Sequence, residues 1–482
     1  MSARLPRVVI IGGGITGLAA AHRLVERAGQ ALEIQILEAT DRPGGVIHTH
    51  HEDGMLLELG PDSLITEKPW AVDLCRRLGI DGELIPTQAE FRRTLVVRDG
   101  KLLPLPEAFQ MMAPGKIRPF LTSKILSWPG RLRALLDLVL PRGGPPPGGD
   151  ETLASFVRRR LGREVLERIA QPVIGGIYTA DPEKLSLGAT MPRFLELERK
   201  HRSVILGLLR QTANAPKAGT SGARFSLFTT PRGGVHTLVE ALLDRLPADT
   251  LRLKTRVKSI GYDEIWQVDC GGEVVEADAV IVALPAPRAS ETLAALDGEL
   301  AASLGEIEYA STAVAVLAYR RADLEVNPEF FGIVVPAREG RGIIAISFPS
   351  VKFAGRAPDE IVTLRIFLGG ALAPDVYAKS DADLLALARD EAGRLLGARR
   401  APTFERLQRH GESMPQYHLG HALKVLRIEE MAERHAGLAL AGNAYHGVGL
   451  PDSIHSGEQA ADTLLAAGVT GEKIPRDETP SA

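Results

Sequence analysis

Apolar and polar positions at the start of the chain predict a strand, a helix and a second strand. A short apolar run over residues 8–11 leads into a glycine turn over 12–17. Helical apolar spacing follows over 18–28, and a second apolar run covers 32–37. The order strand, glycine turn, helix, strand is typical of a nucleotide-binding βαβ unit.

The remainder of the chain changes its periodicity twice. From about residue 90 to 224 apolar residues recur at helical spacing among many arginines, interrupted by the loop-forming Gly/Pro cluster 143–149. Strand-like runs then return. Their predicted limits are 251–260, 266–270, 279–284, 313–319, 361–368 and 438–441. A last helix is predicted from about 454 to 467. The whole pattern indicates an α/β protein with a helical middle.

Composition narrows the class of protein. With 482 residues, roughly three times a typical domain of about 150, two or three interleaved domains are expected. The 57 Lys and Arg nearly balance the 60 Asp and Glu, which argues against the basic surface of a nucleic-acid-binding protein. Cys75 and Cys270 have neither zinc nor disulfide spacing. Without a signal peptide or an apolar run of about 18 residues, we expect a cytoplasmic protein with at most peripheral membrane contact.

Gly12, Gly14 and Gly17 form GxGxxG between the first strand and the first helix. Glycines at these positions allow a tight turn and a close approach of the backbone to a pyrophosphate, and the helix N-terminus faces the phosphate charge. Glu38 ends the second strand about 20 residues later, where a carboxylate can bind both ribose hydroxyls. The combination predicts an adenosine-containing nucleotide. A plain glycine-rich turn and a solvated strand end are the alternatives.

Further glycine motifs distinguish FAD from NAD. RPGG (42–45) follows Glu38, and ELGPD (58–62) supplies a second close backbone approach suited to a flat ring. NAD enzymes need only the first fingerprint, so FAD is predicted. Near the C-terminus, AGN (441–443) and GVGLPD (447–452) again join a strand to a helix. The positive end of that helix would favour the charge that collects on a reduced flavin.

With these motifs the sequence resembles the FAD-dependent amine oxidase superfamily and, within it, the protoporphyrinogen oxidases. The resemblance covers nearly the whole chain. Its supporting segments are GGGITGLAAA, DRPGG, LELGPDS, FRRTLVVRDGKLLPLP, PVIGGIYTADPEKLS, FTTPRGGVHTL, VALPAP, FFGIVVP, FPSVKFAGRAP, MPQYHLGH and GNAYHGVGLPDSIHSG. The first three and the last are shared widely among relatives, whereas the middle segments are more specific.

The resemblance implies an α/β fold in three parts. An FAD-binding Rossmann-like domain is built from the separated segments 1–69, 224–290 and 430–470. An α+β substrate domain comprises 70–88 and 291–429, and a helical membrane-binding domain is inserted over 89–223. The tail 471–482 is expected to be disordered, and a homodimer is compatible with the resemblance.

The resemblance also implies site residues. FAD contacts are implied for Gly12, Gly14, Ile15, Thr16, Gly17, Glu38, Ala39, Arg42, Gly45, Val46, Gly60, Pro61, Asp62, Ser63, Val257, Gly442, Val448, Gly449 and Leu450. Arg93 matches the position that pairs with a substrate propionate, with Arg92 as the alternative. Val334 and Phe353 match apolar positions that sandwich the ring, and the carbonyl of Gly176 is implied to orient a pyrrole N–H. Solvated arginines, ordinary core residues and a helix breaker are the structural alternatives.

The implied reaction removes six hydrogens from a porphyrinogen in three flavin turnovers, with molecular oxygen reoxidising FAD. Protoporphyrinogen IX is the main expectation. Coproporphyrinogen III, which has two more propionates, is the alternative. Hydride can leave the methylene bridge while a pyrrole N–H loses its proton, so no general base is required. No metal is expected at His48, His50 and His51, because no carboxylate stands at ligand spacing.

Two remoter interpretations are a flavin amine oxidase and a flavin-less binding protein of the same fold. An amine oxidase would need a cage of aromatic side chains, but aromatic residues make up only 5% of the chain, and Trp266 is predicted in an exterior strand. The intact RPGG and ELGPD motifs argue against the flavin-less protein. A flavin spectrum would separate the two classes.

The segment 116–142 combines basic and apolar residues. Its cations are Lys116, Arg118, Lys124, Arg131, Arg133 and Arg142, and they are interleaved with Phe120, Trp128 and several leucines. This composition suits a segment lying on an anionic bilayer. An internal helix with a solvated basic face is the alternative.

Overall fold

A computed structural model describes residues 4–106, 109–143, 149–214 and 227–471. Its first unit is a five-stranded parallel sheet, called here the nucleotide sheet. The strands, in spatial order, are Leu251–Arg252, Glu33–Leu37, Arg7–Ile11, Ala279–Val282 and Leu438–Leu440. The strand order reverses beside Arg7–Ile11, so a crevice opens at the carboxyl end of that strand, where such sheets bind ligands.

Both faces of the nucleotide sheet are covered, which explains why its strands are continuous apolar runs. In the first strand Val8 and Ile10 point into one core, and Val9 and Ile11 point into the other. The first face carries the helices Ile15–Ala28, Trp70–Leu78, His236–Leu243 and Leu450–Ala466. The second face carries the helices Ala286–Leu293, Gly298–Gly305 and His421–Ala432 and the antiparallel strands Ser259–Asp263, Ile265–Asp269 and Val274–Ala277.

A seven-stranded sheet, called here the large sheet, forms the second unit. Its strands, in spatial order, are Phe404–Pro415, Tyr309–Arg320, Ile361–Gly369, Ile343–Ser347, Gly332–Val334, Thr94–Arg98 and Lys101–Pro104. Helix Asp381–Leu396 packs on one face. The hairpin Thr49–Glu52 and Met55–Glu58 packs on the other and so joins this sheet to the first part of the chain.

Short elements fill the connections between these units. Helices Pro349–Lys352 and Pro374–Tyr377 flank strand Ile361–Gly369 in sequence. A three-stranded sheet contains Leu64–Ile65, Phe228–Pro231 and Leu84–Pro86, and a two-stranded sheet contains Phe109–Gln110 and Ala113–Pro114.

The third unit is helical and has its own core around Phe120, Phe156 and Phe194. Its helices are Ile117–Thr122, Trp128–Leu135, Leu153–Arg160, Arg163–Val165, Gln171–Tyr178, Leu187–Thr190, Pro192–His201 and Val204–Asn214, with a π-helical turn at Leu166–Ala170. A buried ion pair ties its outer layer to this core. Arg160 Nε donates to Asp137 Oδ1 at 2.6 Å, and the hydroxyl of Ser203 donates to Asp137 Oδ2 at 2.6 Å.

The structure corrects three of the sequence-based predictions. Residues 94–104, expected to be helical, form two strands of the large sheet. The strand expected over 251–260 is interrupted between Arg252 and Ser259, because its two halves join different sheets. Trp266 is not exterior: it is 1% exposed and its Nε1 donates to the Ala436 carbonyl at 3.1 Å.

Helix Trp70–Leu78 also departs from expectation, because it packs in the core of the nucleotide sheet rather than with the substrate-domain residues. The C-terminal helix begins at Leu450, four residues before the predicted start. The Gly/Pro cluster 143–149 and the tail 471–482 fall mostly outside the described residues.

The first and last helices cross without room for a side chain at Gly457. A Cβ at this position would lie 2.2 Å from the Thr16 carbonyl oxygen. We expect Gly457→Ala to destabilise the protein by about 1 to 3 kcal/mol, because the two helices must separate. Reversible denaturant unfolding of the purified variant measures the change.

Gly393 provides the matched control. It also lies inside a helix, but a Cβ there would be 3.6 Å from its nearest neighbour, an ordinary contact. Gly393→Ala should be neutral or stabilising by up to about 1 kcal/mol, since alanine favours a helix. Equal effects of the two substitutions would contradict the packing explanation.

Candidate functional site

The candidate site lies at the carboxyl ends of the nucleotide-sheet strands, where the first helix begins. Gly14 precedes this helix, and among the described residues no side chain caps the helix and no acidic residue stands in its first turn. Ile15 and Thr16 are buried in that turn. The free N–H groups and the positive end of the helix dipole are therefore available to an anion such as a phosphate.

Glu38 lies beside this helix end and is 9% exposed. Its Oε2 accepts a hydrogen bond from the Gly13 N–H at 2.7 Å, and its Oε1 accepts from the Thr40 N–H at 2.8 Å and the Thr40 hydroxyl at 2.7 Å. These bonds fix the carboxylate at the edge of a cavity of about 360 Å³. The predicted residues Gly12, Ala39 and Val257 line the same cavity.

The cavity fits the nucleoside end of FAD in its polar and apolar character. Leu37, Val257 and Leu284 supply apolar walls for a base, and Glu38 supplies acceptors for ribose hydroxyls. Sequence reasoning missed Arg288 and Thr292, which line it from the helix after strand Ala279–Val282. Their only sequence signal is the preceding VALPAP segment.

Three glycine turns meet backbone to backbone beside the helix end. The Gly44 N–H donates to the Gly13 carbonyl at 2.8 Å, which brings the RPGG turn against the first turn. A Cβ on Gly60 would lie 1.9 Å from the Val46 carbonyl oxygen, so the ELGPD turn contacts the RPGG turn in the same way. Only glycine permits this approach. The turns form one continuous backbone wall along which an extended dinucleotide can lie.

Arg42 supports this wall from within. Its guanidinium donates to the carbonyls of Gly45 at 2.6 Å and Ile47 at 2.9 Å. Val46, next to it, is 43% exposed. Arg42 therefore orders the turn that presents Gly45 and Val46.

The C-terminal loop completes the wall and is held by side chains from elsewhere. The Tyr417 hydroxyl donates to the Asn443 carbonyl at 2.7 Å and accepts from the Gly447 N–H at 2.8 Å. Asp452 Oδ2 accepts from the Gly449 N–H at 3.2 Å, and its Oδ1 binds Lys68 Nζ. Gly442, also predicted, donates its N–H to the Ser456 hydroxyl at 2.9 Å. Tyr417 and Lys68 were not identified from the sequence.

The ELGPD turn carries a buried carboxylate held by two cations. Lys352 Nζ lies 3.1 Å from Asp62 Oδ1 and 3.0 Å from the Ser63 hydroxyl, and Arg365 Nη1 lies 3.2 Å from Asp62 Oδ2. Although burial opposes ionisation, Lys352 and Arg365 lower the pKa of Asp62 far below its usual range. Asp62 is therefore ionised at neutral pH and fixes the turn that contains Pro61.

One candidate substrate residue, Val334, packs against the hydrophobic core of the helical unit. Val334 and Val448 both pack against that core while retaining exposed surface. Tyr178 packs there too, and burial, with the Asp452 charge nearby, raises its pKa to about 12. Gly176, two residues earlier, is exposed, and a Cβ there would meet nothing within 4 Å. Val334, predicted to contact the substrate ring, and Val448, predicted to contact FAD, thus pack against the same core.

Phe353 does not share this exposure. It is fully buried, and its ring lies 5.2 Å from Lys352 Nζ and 5.6 Å from the Arg356 guanidinium carbon. Its side chain therefore supports the charged residues behind the ELGPD turn. Its predicted contact with a substrate ring would require a movement that exposes it.

Arg93 and Arg92 are both exposed at the start of strand Thr94–Arg98. Arg93 Nη2 donates to the Glu329 carbonyl at 2.9 Å, and Arg92 Nη2 donates to the Thr87 hydroxyl at 3.2 Å. Within the described part of the chain neither forms an ion pair, so both positive charges can bind an external carboxylate.

The histidines of the cluster differ in their surroundings. Burial, with Arg42 and Arg406 nearby, lowers the pKa of His48 to about 4, so this imidazole is neutral at physiological pH. His50 instead contacts Glu52 at 2.8 Å. Over residues 4–106, 109–143, 149–214 and 227–471, no group of three potential ligands is placed to hold an ion.

Comparisons with known proteins agree with this architecture. The sequence pattern of the family described as flavin containing amine oxidoreductase matches residues 15–465. The chain is 36% identical to the coproporphyrinogen III oxidase of Propionibacterium freudenreichii subsp. freudenreichii, over 95% of this chain and 92% of the relative. It is 33% identical to the protoporphyrinogen oxidase of Homo sapiens, over 95% of this chain and 98% of the relative.

A solved structure shares the same overall fold. It belongs to a protein of Exiguobacterium sp. 255-15 that is provisionally assigned as a protoporphyrinogen oxidase. The two structures superpose with a TM-score of 0.84 at 27% identity, over 96% of this chain and 99% of that chain.

The position of Glu38 predicts a specific loss of cofactor. Glu38→Ala should weaken FAD binding by about 1 to 3 kcal/mol, roughly five- to 150-fold, because charge-assisted hydrogen bonds to the ribose are lost. FAD retained per protein after dialysis, read from the flavin absorbance, measures the effect. Glu33→Ala, at the other end of the same strand and paired with Arg7, is the control. Equal FAD retention in both variants would remove Glu38 from the site.

Proposed function

Because the chain belongs to the flavin-containing amine oxidoreductase family, we propose that it oxidises a porphyrinogen, and specifically coproporphyrinogen III. The family consists of flavin oxidoreductases, and this protein is an FAD-dependent enzyme. Coproporphyrinogen III was the alternative drawn from the sequence, and we now prefer it to protoporphyrinogen IX.

The observation that carries the substrate assignment is the pattern of relatives. The bacterial relative named coproporphyrinogen III oxidase shares 36% identity with this chain, against 33% for the human relative named protoporphyrinogen oxidase. Both alignments cover at least nine-tenths of each protein. The difference favours the substrate with four propionates.

The electrostatics of the exposed surface support a substrate rich in carboxylates. Arg92 and Arg93 are adjacent and hydrogen-bonded to neutral acceptors. An uncompensated guanidinium binds a carboxylate through two parallel hydrogen bonds. In this proposal Arg93 holds one propionate at the mouth of the site, and Arg92 is the alternative contact.

Binding and orientation are the work of the protein's own residues. When bound, FAD supplies the acceptor for the electrons taken from the substrate. The backbone wall and Glu38 hold the dinucleotide, and Val334 and Val448 exclude water from the apolar macrocycle. The carbonyl of Gly176, an exposed residue, orients a pyrrole N–H in this proposal. No side chain is assigned as a general base.

Each of the three structural units has its own function in this proposal. The FAD-binding part comprises 1–69, 224–290 and 430–470, extended by helix Trp70–Leu78. The substrate-binding part is the large sheet, including residues 94–104, and the helical unit carries the membrane contact. Molecular oxygen as electron acceptor, a place on the cytoplasmic face of the membrane and a homodimer are further parts of this proposal.

An exposed apolar stripe on the helical unit supports membrane contact. Trp128, Leu132, Leu136 and Val139 are spaced along one face and are 61%, 59%, 47% and 67% exposed. The exposed cations Arg118, Lys124 and Arg142 flank the stripe in sequence. Among the described residues, none of the helices has both the length and the apolar character to cross a bilayer. The stripe suits binding in the interfacial layer of an anionic membrane.

Substrate preference and the role of Arg93 can be tested together. The wild-type enzyme should have a higher kcat/KM for coproporphyrinogen III than for protoporphyrinogen IX. Arg93→Ala should lose about 10- to 150-fold in kcat/KM, mostly through KM, because a charge-assisted hydrogen bond is lost from a partly wet site. Steady-state assays of both substrates on one FAD-loaded preparation measure these values.

Two variants serve as controls for that experiment. Arg93→Lys should recover only part of the loss, because an ammonium cannot form the planar fork. A wild-type KM in Arg93→Ala combined with a raised KM in Arg92→Ala would move the propionate contact to Arg92. Higher kcat/KM for protoporphyrinogen IX would reverse the substrate assignment.

Membrane contact predicts a pair of matched variants. Leu132 and Leu423 are equally exposed, at 59%, but only Leu132 lies on the stripe. Leu132→Glu should reduce co-sedimentation with anionic vesicles by roughly tenfold, whereas Leu423→Glu should leave it unchanged. Binding of the wild type should weaken with added salt, because surface charge attraction is screened. Failure of the wild type to bind such vesicles at low salt would contradict the proposal.

A further inference from the structure

Five charged side chains cluster behind the ELGPD turn; three of them are buried, and the side chains of Asp62 and Lys352 are 12% exposed. Two are carboxylates, Glu58 and Asp62, and three are cations, Lys352, Arg356 and Arg365. The carboxylates lie in the first part of the chain. Arg365 lies in strand Ile361–Gly369 of the large sheet, and Lys352 and Arg356 precede that strand in the sequence. We call these five residues the charged cluster.

Asp62 is paired with two of the three cations of the charged cluster. Lys352 and Arg365 both contact it, and their side chains are 12% and 5% exposed. Arg365 Nη2 also donates to the Gly60 carbonyl oxygen. The two cations therefore attach to the same turn that forms the cofactor wall.

Arg356 and Glu58 have neutral partners instead. Arg356 is 1% exposed and donates to the Thr230 hydroxyl at 3.0 Å and to the Pro231 and Arg232 carbonyls. Glu58 accepts from the Val235 N–H and the Thr49 hydroxyl, each at 2.8 Å, and burial raises its pKa. Three cations thus face at most two negative charges, which leaves an excess of positive charge.

The surroundings of the charged cluster limit the screening of its excess positive charge and keep that charge close to the cofactor wall. Lys352 Nζ lies 5.0 Å from the Phe228 ring centre and 5.2 Å from that of Phe353, so apolar rings flank the ammonium. A buried charge is screened far less by water and salt than an exposed one. The Gly60 backbone in turn contacts Val46, the exposed residue of the neighbouring turn.

We propose that the positive charge of Lys352, as part of the charged cluster, raises the electron affinity of the flavin held against the ELGPD turn. Lys352 is thus a positioning residue rather than a catalytic one. A hydride consists of one proton and two electrons. Its transfer to a bound neutral flavin would therefore leave the reduced ring with one negative charge. A fixed cation nearby stabilises that product relative to the oxidised ring. The inference concerns the same site as the proposed function but rests only on flavin binding.

Sulfite provides a probe that needs no porphyrinogen. It adds to the oxidised flavin and leaves a negative charge on the ring, so its affinity reports the same electrostatic stabilisation. With FAD-loaded Lys352→Met we expect about tenfold weaker sulfite binding and a lower midpoint potential, because one buried positive charge is removed. Asp62→Asn removes a negative charge and should strengthen sulfite binding by about tenfold.

Variants that conserve charge separate this role from simple packing. Lys352→Arg and the double variant Lys352→Met/Asp62→Asn both keep the net charge of the wild type and should stay within about threefold of its sulfite affinity. Lys200→Met, at a 61% exposed lysine of the helical unit, should change nothing. If Lys352 and Asp62 acted only through packing, Lys352→Met and Asp62→Asn would change the sulfite affinity in the same direction.

The sulfite affinity and midpoint potential of the FAD-loaded variants decide whether the proposal holds. Unchanged sulfite affinity and potential in FAD-loaded Lys352→Met would overturn it, as would shifts of the same sign in Lys352→Met and Asp62→Asn. If Lys352→Met loses FAD, Asp62→Asn decides, and unchanged or weaker sulfite binding there rejects the proposal. Because no porphyrinogen is used, failure of the substrate assignment would leave these results intact.

Discussion

Three glycine turns at the candidate cofactor site contact one another directly through their backbones. The Gly44 N–H donates to the Gly13 carbonyl at 2.8 Å, and a Cβ on Gly60 would collide with the Val46 carbonyl oxygen. This contact places the helix N-terminus, Glu38 and the exposed Val46 along one edge of the nucleotide sheet. In the proposed site the wall would bind the dinucleotide through backbone groups, so most of the specificity for FAD would reside in geometry and in one carboxylate.

The large sheet is joined to this wall by charge as well as by packing. Lys352 and Arg365 reach Asp62, and the hairpin that carries Glu58 covers the sheet face around Val314 and Val316. A buried ion pair costs desolvation, so it contributes little net stability against an apolar alternative. The ion pair instead orients the ELGPD turn, because it fixes this turn relative to the surface that carries Val334 and Arg93.

The helical unit uses buried charge in the same way at its outer edge. Asp137 is fully buried and holds Arg160, while Leu136 and Val139 on either side in the sequence are exposed. The inward carboxylate therefore anchors the segment that presents the apolar stripe outward. Tyr178 of this unit and Val448 both pack against its core, so the surface proposed to meet a membrane and the surface proposed to meet the substrate share one core.

The nucleotide-binding half of this protein could be predicted from its residues and their spacing. Gly12, Gly14, Gly17 and Glu38 could be identified because local backbone geometry demands particular residue types at fixed spacing. The resemblance extended this to the later flavin motifs and to Arg93. Even there the sequence did not show that Arg42 would bind its own turn rather than stand free.

The contacts between distant segments could not be predicted in this way. Residues 94–104 follow a helical-looking pattern yet pair with the large sheet, since strand pairing depends on an edge supplied more than 200 residues away. Lys352 and Asp62 lie 290 residues apart, and no periodicity marks their contact. The burial of Phe353 and Trp266 likewise depends on which elements cover them. Spacing encodes local backbone conformation, whereas burial and charge pairing arise only when separate segments pack together.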